Sequence, residues 1–371
     1  MAAIVQSRNA RRLDPSVFRL PVERIRAGWY SDSYLNLSKE LLEAEGRRAR
    51  VTMQVFQKHD AALGGIDEAI AVLKQCAGGE REDGSWAPGW DRLRVHALHE
   101  GEQIAPYETV MTIEGEYALF AHLETVYLGC LARRTLIMRN VREVVRAAAG
   151  KPVLFFPARH DHWLVQTGDG WAAHVAGAIG VSTDAQASWW GGRGVGTLPH
   201  SLIAAYGGDT VAAARAFADR YAEHMNVTVL VDFENDSVAS AVAVADALGE
   251  QLWGVRLDTS GTVVDRSLLA EMEREGDFTP TGVNLRLVRH VRDALDAAGH
   301  ERVRIVVSGG FDAQKIRAFE REGAPVDSYG VGSSLVRGEN DFTADVVLLD
   351  GRPCAKRGRR YRPNPRLQRV E

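Results

Sequence analysis

Two glycine-bearing strand ends late in the chain carry the strongest chemical signal. Ser308-Gly309-Gly310 closes one apolar run, and Gly330-Val331-Gly332-Ser333-Ser334 closes the next. Glycine lets a backbone approach a ligand closely, and a helix start just beyond offers unpaired N–H groups and a positive dipole. Two consecutive loops of this kind at strand ends suit a phosphate held by Ser308, Gly309, Gly310, Gly330, Gly332 and Ser333. The alternative is two tight turns without a ligand. Arg256 and Asp258 alternate with apolar neighbours in GVRLDT, so both face one side of their strand. There they can bind an anion and a sugar hydroxyl, or simply pair with each other.

A third strand end, Phe156-Pro157-Ala158-Arg159-His160-Asp161-His162, gathers ionisable groups. A metal needs three or four converging ligands, and no second His/Asp/Glu cluster stands out, so no metal site is expected. An anion site led by Arg159 fits better, because a guanidinium matches a carboxylate on two prongs. His200 follows a proline in GTLPHS, where a helix is expected to start. It can serve as nucleophile or general acid/base, although a lone histidine is more often neither. Tyr34, in YSDSY, reads as core packing. The last twenty-one residues hold seven arginines and one lysine. Such a run is commonly a solvated tail; it can also contact nucleic acid or a small polyanion such as a diphosphate.

The elements that must position these groups fall into two styles. Up to about residue 125 the reading is mixed: a helix near 38–48, a strand at 50–57, a short amphipathic helix in GGIDEAIAVLKQCAGG, and β-rich sequence over 106–120. A long helix follows. From about 150, apolar runs (153–156, 228–233, 252–258, 304–310, 327–333) alternate with helical stretches, the grammar of βαβ units and a parallel sheet. The polar and glycine residues cluster at the C-terminal ends of those strands, where (β/α) barrels build their sites. After Glu339 short strands return. The expected division is 1–125, 126–338 and 339–371.

Composition narrows the class. The 371 residues are 45% hydrophobic and 25% charged, with a net charge of −4, the balance of a soluble globular protein and not of a dedicated nucleic-acid binder. Three distant cysteines make neither a disulfide framework nor a metal spacing. No signal-peptide core and no run of membrane-spanning length is present, so a cytoplasmic protein is expected.

Taken together, SDSY (31–34), RVTM with Arg50, FFPARHDH (155–162), GTLPHSL (196–202), VRLDT (255–259), VSGGFD (307–312) and YGVGSSL (329–335) resemble the nicotinate phosphoribosyltransferase family, within the wider nicotinate, nicotinamide and quinolinate phosphoribosyltransferase group. The resemblance runs from about residue 30 to about 360. It implies an α/β fold: an irregular (β/α) barrel with an α+β open-faced sandwich built from N- and C-terminal segments. It also implies a homodimer or larger homo-oligomer with shared active sites. The implied reaction joins nicotinate to 5-phosphoribosyl 1-diphosphate, with ATP as co-substrate in many members and Mg2+ arriving with the diphosphate.

Residue by residue, the resemblance gives the two glycine loops the ribose 5-phosphate, Arg256 the ribose or pyridine end, and Asp258 the ribose hydroxyls. Arg159 pairs with the nicotinate carboxylate, Tyr34 of a neighbouring subunit stacks on the ring, and Phe156 forms a wall. Arg50 and some of Lys356, Arg357 and Arg359 face the diphosphate, and His200 matches a histidine that ATP-coupled members phosphorylate. His160 stands where many members have a second arginine. Asp232-Phe233-Glu234 departs from the family's usual pattern there. Alternatives are transfer to nicotinamide or quinolinate, or a relative that binds nucleotides without catalysis.

Overall fold

The computed structural model describes residues 12–275 and 278–371. The described residues form two compact units, one drawn from 12–139, 171–176 and 338–371, the other from 140–170 and 177–337. Among the described residues, no helix is long and apolar enough to cross a membrane.

The first unit is built on an antiparallel six-stranded sheet. Its order is Arg352–Pro353, Thr343–Leu349, Arg50–Phe56, Met111–Glu116, Arg94–Ala97, Gln368–Arg369. Strands from the C-terminal segment thus form both edges, which is how that segment joins the N-terminal sequence. Val51, Met53, Val55, Val95 and Ile113 pack with Ile66, Ile70 and Leu73 of the Ile66–Cys76 helix and with Tyr127 and Leu131 of the Glu124–Ala147 helix. This is the helix-on-sheet sandwich expected from the sequence.

Two local readings change. The helix expected over 38–48 runs Ser33–Ala44. It stops before Gly46, whose φ of +62° breaks the helical path. The Ile66–Cys76 helix is not amphipathic but buried on nearly every side, its Asp67 and Glu68 included. Those two carboxylates are paired: Arg12 Nη1 lies 2.8 Å from Asp67, and Arg134 Nε lies 2.9 Å from Glu68. Glu100 accepts from the backbone N–H groups of Gly65 and Ile66 at 2.7 and 2.9 Å, satisfying donors that a helix start otherwise leaves open.

The second unit is a curled parallel sheet in the order Val227–Leu230, Leu252–Leu257, Arg304–Val307, Ser328–Val331, Val153–Phe155, Gly180–Val181. Its strands are short and apolar, and Val227–Leu230 and Ser328–Val331 are buried throughout, as a sheet covered on both faces requires. The helices Thr210–Tyr221, Ser237–Leu248, Leu285–Ala297 and Ala313–Arg321 start on side-chain caps from Asp209, Asp236, Asn284 and Asp312. The segment 195–198 bridges the two edges of the sheet. Val195 N–H donates to Val181 at 2.7 Å, while Leu198 N–H donates to Thr228 at 3.0 Å. That bridge makes an irregular barrel and delivers Thr197 and His200 to its rim.

Candidate active site

The C-terminal ends of the parallel strands surround a cavity of about 730 Å³ within the second unit. Phe156, Arg159, His160, His200, Arg256, Asp258, Ser308, Gly309, Gly310, Gly330, Gly332 and Ser333 all line it. Side chains separated by up to 177 positions in the sequence meet because each sits at, or just past, the end of a strand or of the bridging segment.

Ser308 is the joint of the polar network. Arg256 Nε donates to Ser308 Oγ at 2.7 Å, and Ser308 Oγ reaches Asp258 Oδ1 at 2.7 Å. Arg256 Nη1 donates to Thr197 Oγ1 at 3.1 Å, and its Nη2 lies 3.4 Å from Asp258 Oδ2. The guanidinium also lies over the Phe156 ring, 5.2 Å from its centroid. Arg256 and Asp258 therefore pair with each other, and both line the cavity. Four fixed contacts leave the cation little freedom, which is the preorganisation a charged substrate needs.

The glycines are required by geometry. Gly309 and Gly310 have φ of +81° and +73°, a region that residues with a Cβ enter only with strain. A Cβ at Gly330 would lie 2.8 Å from two Phe156 ring atoms, and one at Gly332 would lie 2.9 Å from His160 Cε1. The helix that follows Gly310 is already capped, because Asp312 accepts from Lys315 N–H at 2.8 Å. The backbone available to an anion is thus the glycine loops themselves, with no open helix end behind Gly310.

His200 begins the short helix His200–Ala205 after Pro199. Its Nε2 lies 2.8 Å from Asp232 Oδ1, and the carboxylate is buried while the ring is partly open to the cavity. The hydrogen bond to Asp232 raises the imidazole above its usual range, against the opposing effect of burial. With Nε2 held by Asp232, Nδ1 is the ring nitrogen left for chemistry. Arg159 and His160 occupy the 3-10 turn Ala158–His160, exposed at the cavity wall. Burial, then Arg159 and Arg337, hold the His160 ring below its ordinary range.

The other expected site residues belong to the first unit. Tyr34 is 62% exposed, so the core-packing reading does not apply. Arg50 is held by Glu114, with Nη2 2.8 Å from Oε1. Lys356 is exposed, while Arg359 is bound to Asp345 at 3.0 Å and lies over Phe56. The basic segment is not a loose tail: Gln54 bonds the backbone of Arg360 and Arg362, and Arg366 pairs with Glu102 and Glu108. Among the described residues, no group of three or more His, Cys, Asp or Glu is arranged to hold a metal ion.

Two contributors were not singled out as site residues from sequence. Thr197 lies inside a recognised motif, but nothing in its spacing links it to Arg256. Asp232 ends the apolar run TVLVD, and a carboxylate at that position was a usable signal.

Comparison with known proteins gives a consistent picture. Residues 36–135 match the family model described as quinolinate phosphoribosyl transferase, N-terminal domain. The chain is 34% identical over 280 residues to nicotinate phosphoribosyltransferase pncB1 of Mycobacterium tuberculosis, a match covering 73% of this chain and 57% of that protein. The chain therefore spans little more than half the length of that curated relative. A crystal structure described as nicotinate-nucleotide pyrophosphorylase from Pyrococcus furiosus superposes with a TM-score of 0.77 at 32% identity, covering 95% of this chain and 85% of that one. Human nicotinic acid phosphoribosyltransferase, at 18% identity and a TM-score of 0.63 over 88% of this chain and 76% of that one, shares the fold.

Proposed function

The chain belongs to the nicotinate phosphoribosyltransferase family, and from that premise we propose that it transfers the phosphoribosyl group of 5-phosphoribosyl 1-diphosphate to nicotinate. The pyridine nitrogen attacks C1 of the ribose, the bond from C1 to the diphosphate oxygen breaks, and nicotinate mononucleotide and diphosphate leave. The product belongs to NAD biosynthesis or salvage.

One observation carries the reading: Arg256, Asp258 and Ser308 form a single network on the wall of the cavity that both glycine loops line. A phosphate seated on Gly309, Gly310 and Gly332 brings the ribose beside Asp258. That carboxylate binds ribose hydroxyls and opposes the positive charge that develops on the sugar as the bond to diphosphate stretches. Arg159 takes the nicotinate carboxylate, and Phe156, backed by Arg256, supplies a flat wall for the ring.

Mg2+ enters as part of the diphosphate substrate. Asp258 is the carboxylate lining the cavity, which suits an ion held mainly by substrate phosphates and water. ATP coupling runs through His200: Nδ1 attacks the terminal phosphorus, the bond to the departing ADP oxygen breaks, and Asp232 holds the Nε2 proton throughout. The working form is a cytoplasmic homodimer or larger ring in which Tyr34, Arg50 and Lys356 serve a neighbouring subunit's cavity. The exposure of Tyr34 supports that assignment.

Quinolinate is the second reading, favoured by the family model matched over residues 36–135. A diacid asks for more fixed cations than Arg159 beside an imidazole provides. The test is diphosphate release from phosphoribosyl diphosphate and Mg2+ with nicotinate, nicotinamide or quinolinate, each with and without ATP. Turnover with nicotinate, raised by ATP, is expected. Turnover confined to another pyridine moves the substrate assignment, and none with any of the three overturns the reaction.

A further inference from the structure

The loop Gly330–Ser333 has a neighbour whose part in the reaction is unassigned. The His160 ring lies against Gly332, close enough that a Cβ there would stand 2.9 Å from Cε1 and 3.4 Å from Nδ1. Neither ring nitrogen has a hydrogen-bond partner among the described residues, and the side chain is exposed to the cavity. The charged groups facing it are cationic: Arg159 on its own turn, and Arg337 beyond the 3-10 helix Ser333–Val336. Arg337 Nη2 reaches Ser333 Oγ at 3.3 Å, which directs that cation to the same loop. The cavity's carboxylate, Asp258, is committed to Ser308 and Arg256, and Asp161 next along the chain accepts from His162 N–H at 2.7 Å.

A loop ringed by permanent cations and one titratable ring favours an oxyanion. Gly332 and Ser333 present backbone and hydroxyl rather than an apolar wall, which suits a phosphate better than the edge of a pyridine acid. Burial and the two arginines leave the free imidazole neutral at pH 7. A bound dianion supplies the missing counter-charge, so binding draws a proton onto the ring.

We propose that His160 is a direct, proton-switched ligand of the phosphate seated against Gly330–Ser333, so that anion binding there takes up a proton and weakens as pH rises. The inference rests on the reading of this loop as a phosphate site. It adds a pH-tuned affinity for the phosphoribosyl substrate, which an arginine at position 160 would not confer.

Sulfate is the direct probe, because its charge does not change between pH 5.5 and 8.5; ribose 5-phosphate is the companion. Calorimetric titration of the full chain should show sulfate affinity falling by up to roughly tenfold per pH unit above the imidazole's titration, with one proton taken up per ion. His160→Gln should bind weakly and without that slope, and His160→Arg tightly and without it. In proton NMR, sulfate should raise the titration midpoint of one histidine signal that is missing from His160→Gln. With turnover, the KM for phosphoribosyl diphosphate should carry the slope in the wild type and lose it in His160→Arg. A slope carried by the KM for nicotinate instead would overturn the assignment to phosphate. Wild-type binding that is flat with pH, or a slope that survives in His160→Gln, would overturn the role of His160 while leaving the reaction standing. Failure of the wild type to bind either anion would remove the phosphate site itself.

Discussion

His200 Nε2 lies 2.8 Å from Asp232 Oδ1, joining the start of a short helix to a carboxylate two residues past the strand Val227–Leu230 and thirty-two positions along the chain. The pair fixes which ring nitrogen is free. Asp232→Asn should abolish stimulation by ATP while leaving basal transfer, and should return the His200 titration toward 6.5. A histidine NMR titration and diphosphate release with and without ATP check both. If ATP stimulation persists in Asp232→Asn with the His200 titration lowered, the pair does not serve phosphoryl transfer. Because the folded imidazole titrates above its unfolded value, its stabilisation is complete below about pH 6.5 and lost as pH rises through the folded value. Asp232→Ala should lack that loss.

Ser308 holds Arg256 and Asp258 at 2.7 Å each. Ser308→Ala should reduce kcat/KM by one to two orders of magnitude, in line with the roughly 1.5–3 kcal/mol typical of hydrogen bonds to charged groups. Steady-state kinetics with circular dichroism as a folding control test it. An unchanged kcat/KM would mean that the arginine and carboxylate keep their geometry without the hydroxyl.

Gly309 and Gly330 should fail for different reasons. Gly309→Ala forces a φ of +81° on a residue with a Cβ and should destabilise the fold by about 1–2 kcal/mol in urea unfolding. Gly330→Ala drives a Cβ into the Phe156 ring, so its main effect should be on substrate KM through the displaced wall. Equal stability losses in the two variants would contradict this division.

His122 offers a separate test of the first unit. It is 1% exposed beside Trp86, and burial pushes it down to about 3. A folded value below the unfolded 6.5 gives stability that is present above pH 6.5 and lost as pH falls toward 3. The loss should approach about 1.4 kcal/mol per pH unit inside that window. His122→Phe should flatten this acid limb of thermal stability relative to the wild type. A parallel pH profile in the variant would place the acid sensitivity elsewhere.

Much of the second unit was legible in order. Runs such as RIVV and TVLV are too short and too apolar for surface helices, and the helices between them leave a parallel sheet as the economical arrangement. The facing of Arg256 and Asp258 was equally legible, because alternation along a strand is a local property. The burial of Asp67 and Glu68 was not. Their partners, Arg12 and Arg134, lie 55 and 66 positions away, and a helical wheel registers two acids only as a polar face.

By itself, then, the sequence determined the residue types at each strand end, the glycine positions and the family, since motif order and short-range periodicity are written along the chain. Only the tertiary structure decided that Ser308 joins Arg256 to Asp258, that Asp232 holds His200, and that His160 lies on Gly332. Those contacts depend on which strands are neighbours, in what register, and on the bridge at 195–198 that brings the two sheet edges together. Periodicity reports which side of its own strand a residue faces. Which residue it meets there is set by packing between segments tens to well over a hundred positions apart.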